Sequence, residues 1–183
     1  MATGWKSTTT RYGWLPITLH WLMLLLIAAA YATMEFKSIF PKGSPGRDAM
    51  ALWHFMLGLT VFALAWVRLS TRFAGATPVI APAMPDWQAL IARLMHWALY
   101  AMMIGLPLLG WLTLSAKGKP VPFFGFELPA LVGSDEALGK TFKKFHEGIA
   151  TGCYALIGAH AAAALFHHYV KRDNTLKLML PGR

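Results

Sequence analysis

Histidine is the residue type whose placement in this sequence points to chemistry. All seven copies fall within, or at the edge of, long apolar stretches: His20, His54, His96, His146, His160, His167 and His168. Ionisable side chains inside membrane-spanning segments are rare and costly, so they usually have a function. A single apolar histidine is more often a hydrogen-bonded interior residue than a ligand. Seven of them, spread over the whole chain, favour ligand binding.

The composition places these histidines in a membrane. Of the 183 residues, 56% are hydrophobic and 14% are charged, against about 25% charged in an ordinary soluble domain. A soluble protein of this length cannot bury so much apolar surface. The formal net charge of +9 does not indicate nucleic-acid binding, because the basic residues lie between apolar runs and form no basic stripe. Contact with anionic lipid headgroups explains the charge better.

Four apolar stretches reach the length of about 20 residues that a helix needs to cross a bilayer. We predict spans at 14–34, 50–69, 89–115 and 145–170. Helices satisfy their own backbone polar groups in lipid. The sequence therefore predicts an all-α integral membrane protein, a four-transmembrane-helix bundle that forms a single domain over residues 1–183. The connector 116–144 is long enough to cap one mouth of that bundle.

The basic residues decide the direction of insertion only narrowly. An even number of spans places both termini on one side of the membrane. With cytoplasmic termini, nine basic residues lie inside and eight outside, which is the direction of the positive-inside rule. The inner set is Lys6, Arg11, Arg68, Arg72, Arg93, Lys171, Arg172, Lys177 and Arg183. The outer set is Lys37, Lys42, Arg47, Lys117, Lys119, Lys140, Lys143 and Lys144.

Helix geometry pairs four of the histidines by depth. His146 and His160 are 14 residues apart on the fourth span, so they lie within about 40° of one face and about 21 Å apart along the axis. In this topology His54 shares the depth of His146, and His20 shares the depth of His160. We predict the pairs His54–His146 and His20–His160. His96, near the inner start of the third span, is an alternative partner for His160.

Haem is the ligand that suits two facing histidines in lipid. Its iron takes one axial nitrogen on each face, and its macrocycle needs apolar walls. Structural zinc needs four ligands, usually including Cys, and a proton relay would favour Asp or Glu beside the histidines. Small residues flank the pairs, where they admit a haem, permit close helix packing, or do both: Gly58, Gly148, Gly152, Gly158 and Ala161 to Ala164.

The last two histidines follow the fourth span. His167 lies seven residues beyond His160 on nearly the same face. That position suits a propionate contact, a proton donor to a bound quinone, or an interfacial histidine. His168 points about 100° away, and we expect it at the surface.

Three segments of the chain resemble the bacterial cytochrome b561 family of di-haem inner-membrane proteins. The most specific is HEGIATGCYALIGAHAAAALFHHYVKRDNTLKLMLP, which resembles the last helix and tail. LPITLHWLMLLLIAAAYATMEF resembles the opening helix, and WHFMLG the ligand region of the second helix. The likeness covers about Tyr12 to Pro181. It implies two haem b groups whose iron (the metal) is bound axially by His20, His54, His146 and His160, and it implies quinone-associated histidines at His96 and His167.

The resemblance also implies a function and a location. It describes a multi-pass cytochrome of the bacterial cytoplasmic (inner) membrane that exchanges electrons with ubiquinone. A member of the family takes an electron from superoxide on the periplasmic side and reduces ubiquinone, and this sequence is similar to it. Membrane lipid, ubiquinone and superoxide are then the expected partners, with no nucleic acid and no obligatory protein partner. No catalytic side chain is assigned, because iron bound by two imidazoles has no open position for a substrate.

Five lysines of the outer connector are candidates for steering superoxide: Lys117, Lys119, Lys140, Lys143 and Lys144. A small anion that approaches from outside is attracted by such a surface. The same lysines could equally serve only to solubilise a loop that also carries Asp135 and Glu136.

Two other functions compete with superoxide oxidation. One is a cytochrome b subunit that oxidises quinol and passes electrons to a partner respiratory enzyme. The other is a structural or transport bundle without haem, for which four facing histidines have no evident purpose.

Overall fold

Four long helices make up most of the protein in a computed structural model that describes residues 4–181. They are α1 (Trp14–Phe36), α2 (Pro45–Ala74), α3 (Asp86–Ala116) and α4 (Glu136–Phe166). Each is long and apolar enough to cross a membrane. The predicted all-α fold with four spans is confirmed. Arg183, which was counted among the inner basic residues, lies outside the described residues.

The helices extend beyond the predicted spans, and α4 does so most at its start. The side chain of Asp135 accepts a hydrogen bond of 3.0 Å from the backbone N–H of Leu138, which satisfies one of the free donors in the first turn. Glu136 adds a negative charge at the positive end of the helix dipole. The helix therefore begins among charged residues, where a search for apolar runs does not detect it.

The connector between α3 and α4 contains a small antiparallel hairpin. Its strands are β1 (Val121–Phe123) and β2 (Phe126–Leu128). Phe124 and Gly125 have φ values of 47° and 86°, the left-handed conformation that a two-residue hairpin turn requires. Val121 is buried against side chains of α2 and α3, which anchors the hairpin to both helices.

Two compact units divide the described residues, and every long helix contributes to both of them. We call them the terminal unit, which contains residues 4–22, 65–102 and 152–181, and the loop unit, which contains residues 23–64 and 103–151. The single domain over residues 1–183 stays a prediction.

The chain after α4 folds back within the terminal unit. A π-helical turn, His167–Lys171, follows α4 directly. In the tail that follows this turn, the carbonyl oxygen of Met179 accepts a 2.7 Å hydrogen bond from the indole N–H of Trp21. The side-chain oxygen of Asn174 accepts a 2.8 Å hydrogen bond from the N–H of Ala81. The tail is thereby tied to α1 and to the segment that precedes α3.

Candidate functional site

In the loop unit, His54 of α2 faces His146 of α4. Their ring centroids are 6.0 Å apart and their planes make an angle of 81°. Nδ1 of His54 is 3.0 Å from the carbonyl oxygen of Ala30, and Nδ1 of His146 is 2.9 Å from that of Leu106. A carbonyl oxygen only accepts, so each neutral ring carries its hydrogen on Nδ1 and keeps a free lone pair on Nε2. Metal-binding histidines are oriented in this way.

Small and polar groups of neighbouring helices hold the position of His146. A Cβ atom added to Gly110 of α3 would lie 3.5 Å from Cε1 of His146, an ordinary van der Waals contact, so Gly110 lies directly beside the ring. One turn after His146, the hydroxyl of Tyr31 donates a 2.8 Å hydrogen bond to the carbonyl oxygen of Ala150. This bond ties α1 to α4 beside the histidine.

In the terminal unit, three histidines converge. The ring centroid of His160 is 6.2 Å from that of His20 and 5.7 Å from that of His96, with interplanar angles of 67° and 72°. The structure therefore brings together the expected pair and also the alternative partner. Ring spacing alone does not choose between His20 and His96.

His20 differs from the histidines of the loop unit in the group that faces Nδ1. Nη2 of Arg68 lies 3.1 Å from that nitrogen, and Nη1 of Arg68 donates to the carbonyl oxygen of Pro16 at 3.4 Å. A guanidinium has only donors, so Nδ1 of His20 must accept. The neutral ring then carries its hydrogen on Nε2.

Both predicted pairs have the spacing that a shared metal requires. Imidazole nitrogens bind metals at about 2 Å, so two rings on opposite faces of one iron have centroids about 6 Å apart. The observed separations of 6.0 and 6.2 Å agree with this value. Within residues 4–181, no group of three or more His, Cys, Asp and Glu side chains could hold a metal ion together. The donor set suits axial ligation better than a site built only from side chains.

The glycines beside these histidines are not packed against other helices. A Cβ atom built at each of them meets no side chain or neighbouring helix within 4 Å in the described part of the chain: Gly58, Gly148, Gly152 and Gly158. At these four glycines the structure therefore shows no close packing against another helix. Room for a flat macrocycle beside the ligands is the role that agrees with the geometry.

His167 is held by an acidic residue that sequence reasoning missed. Its Nδ1 lies 2.5 Å from a carboxylate oxygen of Asp173, which is 4% exposed. Burial opposes ionisation of this carboxyl group, but hydrogen bonds with His167 and Thr175 lower its pKa below the usual 3.8. The sequence feature that could have indicated this contact is a single acidic residue in the basic tail, six residues after an apolar histidine.

His168 does not lie where the helical wheel placed it. We expected a surface residue, but its side chain is half-buried. Its Nδ1 is buried and has no hydrogen-bond partner among the described residues. The π-helical turn that begins at His167 changes the angle between successive residues, so a wheel with 100° steps does not apply beyond α4.

The five candidate steering lysines all belong to the loop unit, and two of them are in ion pairs. Lys140 pairs with Glu136, and Lys143 pairs with Glu147, each at 3.0 Å and with exposed side chains. No ion pair within residues 4–181 involves the other three, which are Lys117, Lys119 and Lys144.

Comparison with known proteins identifies the family. The model of the prokaryotic cytochrome b561 family matches residues 11–182. Cytochrome b561 homolog 1 of Escherichia coli (strain K12) is 41% identical over 173 residues, which cover 94% of this chain and 98% of that protein. Probable superoxide oxidase CybB of Yersinia pestis is 34% identical over 173 residues, covering 94% and 97%. Cytochrome b561 homolog 2 of Escherichia coli (strain K12) is 27% identical over 178 residues, covering 97% and 95%.

The resemblance inferred from the sequence is confirmed by these matches. The family is a membrane-embedded helical bundle, its cofactor is b-type haem, and its chemistry is oxidoreductase-type electron transfer. With four helices able to cross a membrane and histidine pairs spaced for axial ligation, this chain belongs to the prokaryotic cytochrome b561 family.

Proposed function

We propose that this protein is a di-haem cytochrome that oxidises superoxide and reduces ubiquinone. The observation that carries the proposal is the two histidine pairs, His54–His146 and His20–His160, each with the spacing of an imidazole–iron–imidazole unit. The relative named probable superoxide oxidase supports the choice of electron donor. In the balanced reaction, two superoxide anions are oxidised to two O2 molecules, and one ubiquinone takes up both electrons and two protons to become ubiquinol.

The chain would contribute the ligands of both haems. His54 and His146 would hold one haem in the loop unit, and His20 and His160 would hold the other in the terminal unit. His96 would be a neighbour of the second haem in this assignment. Haem b held by two imidazoles would supply one-electron transfer without binding a substrate at the iron.

Backbone carbonyls tune the ligands of the loop unit. The oxygens of Ala30 and Leu106 hold the Nδ1 hydrogens of His54 and His146. They fix the ring orientation and raise the basicity of each Nε2. Because these carbonyls belong to helices, the ligands are held in a binding geometry by the fold itself.

Superoxide reaches the protein as an anion, and the lysines of residues 117–144 attract it. The fields of Lys140 and Lys143 are largely cancelled by Glu136 and Glu147 at 3.0 Å. The net attraction of this segment therefore comes from the three lysines that form no ion pair within residues 4–181, which are Lys117, Lys119 and Lys144. The anion needs only to come close, since electron transfer requires no bond to the iron.

Ubiquinone needs protons as well as electrons, and His96 and His167 are the candidate residues near it. Both belong to the terminal unit. Asp173 orients His167 by holding Nδ1. The ring can then take up and release a proton at Nε2.

The membrane and the direction of insertion complete the proposal. We place the protein in the bacterial cytoplasmic membrane as a multi-pass protein with cytoplasmic termini, so that residues 117–144 face the periplasm. Lipid is its third partner, beside superoxide and ubiquinone, and neither nucleic acid nor an obligatory protein partner is proposed.

An absorption spectrum of the purified protein tests the cofactor. We expect the Soret and α bands of a b-type cytochrome and two haems per chain. A colourless protein, or one haem per chain, would contradict the di-haem assignment.

Superoxide-driven haem reduction tests the electron donor and acceptor. We expect superoxide to reduce the haem, and added ubiquinone to reoxidise it with one ubiquinol formed per two superoxide anions. Haem that ubiquinol reduces and superoxide does not would instead favour a quinol-oxidising subunit that serves a partner enzyme.

A further inference from the structure

Arg68 is a half-buried cation in the membrane-spanning part of α2, and no acid of residues 4–181 forms an ion pair with it. The guanidinium contacts Nδ1 of His20 and the carbonyl oxygen of Pro16. Tyr100 forms a side-chain hydrogen bond with the guanidinium. Tyr12, Arg72, His96 and His160 are also close enough to interact with its charge. A permanent charge at this depth requires a partner, because the surroundings solvate it poorly.

The contact between Arg68 and His20 conflicts with iron binding by His20. Iron on Nε2 uses the lone pair of that atom, so the hydrogen of the neutral ring must sit on Nδ1. Nδ1 is then a donor, as every guanidinium nitrogen is. Two donors cannot share the observed 3.1 Å contact. When His20 binds iron, Arg68 must therefore bind a different acceptor.

The terminal unit itself offers no suitable acid. Its only acidic residues among those described are Asp86 and Asp173. Asp173 is bound to His167 and Thr175. Asp86 lies at the start of α3, and no ion pair is formed by it in residues 4–181. An anionic partner for Arg68 must therefore come from a bound group.

A haem supplies such an acceptor through its two propionate carboxylates. The planar fork of arginine matches a carboxylate with two parallel hydrogen bonds. Tyr12 lies in the same cluster. Burial raises the pKa of its phenol, against the opposite effects of Arg72 and Arg68. The phenol therefore stays protonated and can donate to the same anion.

We propose that Arg68 binds a propionate carboxylate of the haem held by His20 and His160, and so leaves His20 free to bind iron through Nε2. This inference rests on the proposed haem site. It makes Arg68 a cofactor-binding residue and explains why a cation without an acidic partner lies beside an axial ligand.

A comparison of the affinities for hemin and hemin dimethyl ester tests this role of Arg68, because the ester has the same ring without the carboxylate charges. Both are titrated into full-length apoprotein carrying His146→Ala, which removes the loop-unit site. With Arg68 intact, we expect hemin to bind at least about tenfold more tightly than the ester, as a charge-assisted pair implies. Arg68→Gln should remove this preference. Arg93→Gln, on an exposed residue of the same unit, should keep it.

Each result has a defined consequence. Equal affinities for the two ligands with Arg68 intact overturn the proposal, and so does a preference that survives Arg68→Gln. If Arg68→Gln does not accumulate, Arg68→Lys takes its place, because lysine keeps the charge but lacks the planar guanidinium. Arg68→Lys must then show a smaller preference for hemin over the ester. An unchanged preference overturns the proposal. If the His146→Ala protein binds no hemin at all, the proposed haem site has failed, and the role of Arg68 fails with it.

The midpoint potential of the terminal-unit haem gives a second readout. Loss of a nearby cation favours the ferric form. We therefore expect a lower potential in Arg68→Gln than in Arg93→Gln. Identical potentials in the two variants would count against the contact.

Discussion

The two histidine sites differ in what orients their rings. In the loop unit, His54 and His146 each face a backbone carbonyl that belongs to a helix and cannot leave without disturbing it. In the terminal unit, His20 faces the side chain of Arg68, and His160 has two histidine neighbours. The rings of the loop unit are thus oriented by the backbone, whereas the rings of the terminal unit are oriented by side chains with alternative partners.

The largest effect that follows from this comparison is the loss of a whole haem. His146→Ala removes one of the two proposed ligands of the loop-unit haem, and no other histidine ring within residues 4–181 faces His54, so we expect the haem content to fall from two per chain to one. A pyridine haemochrome assay on the purified variant measures it. His168→Ala is the matched control, since that ring is not in either pair, and it should retain both haems. Two haems in His146→Ala would show that the pairing is wrong.

The choice between two neighbours of His160 gives the next largest effect. We expect His20→Ala to lose the terminal-unit haem and His96→Ala to keep it, because only one imidazole can occupy the face opposite His160. Haem content and the electron paramagnetic resonance signal of the ferric protein distinguish them. If His96→Ala instead loses the haem and His20→Ala keeps it, His96 would be the second ligand of that iron, and His20 would keep its contact with Arg68.

Sequence periodicity was sufficient to bring the histidines together but not to choose among them or to predict their surroundings. A helix fixes the depth of every residue along its axis, so the proximity of His54 to His146, and of His20 and His96 to His160, could be predicted from spacing. It does not fix how each helix is rotated against its neighbours. The contact of Arg68 with His20 joins residues 48 positions apart, so no local pattern indicates it.

Charged or irregular elements were missed for a related reason. The spans were found as apolar runs, and that search does not detect the start of α4, which is capped by Asp135. The hairpin β1–β2 depends on Val121 reaching a core formed by two other helices. Asp173 acts through a turn that departs from α-helical geometry. The hairpin depends on tertiary contacts, whereas the contacts of Asp135 and Asp173 are local and lie outside the apolar periodicity from which the spans were predicted.

The two units also differ in their acidic residues. Asp173 of the terminal unit is buried, whereas the acidic side chains of the loop unit are exposed. Asp173→Asn removes the charge that orients His167. We expect ubiquinone reduction to slow by about tenfold, while superoxide still reduces the haem at the original rate. Stopped-flow measurement of the two half-reactions separates them. Equal slowing of both would indicate a general structural defect.

Asp173 also predicts how stability changes with pH. Its carboxyl pKa is lowered in the folded protein from the usual 3.8, so the ionised form is stabilised by folding. This contribution is present above about pH 4 and is lost as the pH falls through the lowered pKa. The melting temperature of the parent should therefore drop in acid more steeply than that of Asp173→Asn. If the melting temperatures of the two proteins fell in parallel with pH, the Asp173 carboxylate would not be the cause of the loss of stability in acid.

The smallest effects concern the exposed charges of the loop unit. Replacing Lys117, Lys119 and Lys144 together with Gln should slow superoxide-driven haem reduction by about threefold and weaken its dependence on ionic strength. The matched control is the double variant Glu136→Gln and Lys140→Gln. It removes an exposed ion pair without changing the net charge, so the rate should stay the same.

Electrostatic steering also requires an effect of opposite sign. Glu136→Gln alone leaves Lys140 unpaired and adds one positive charge to this surface, so it should raise the rate by less than about twofold at low salt. The gain should vanish at high salt, because screening removes the field of an exposed charge. A rate that falls, or that rises equally at every ionic strength, cannot come from attraction of an anion. In that case the lysines serve only the solubility of the connector.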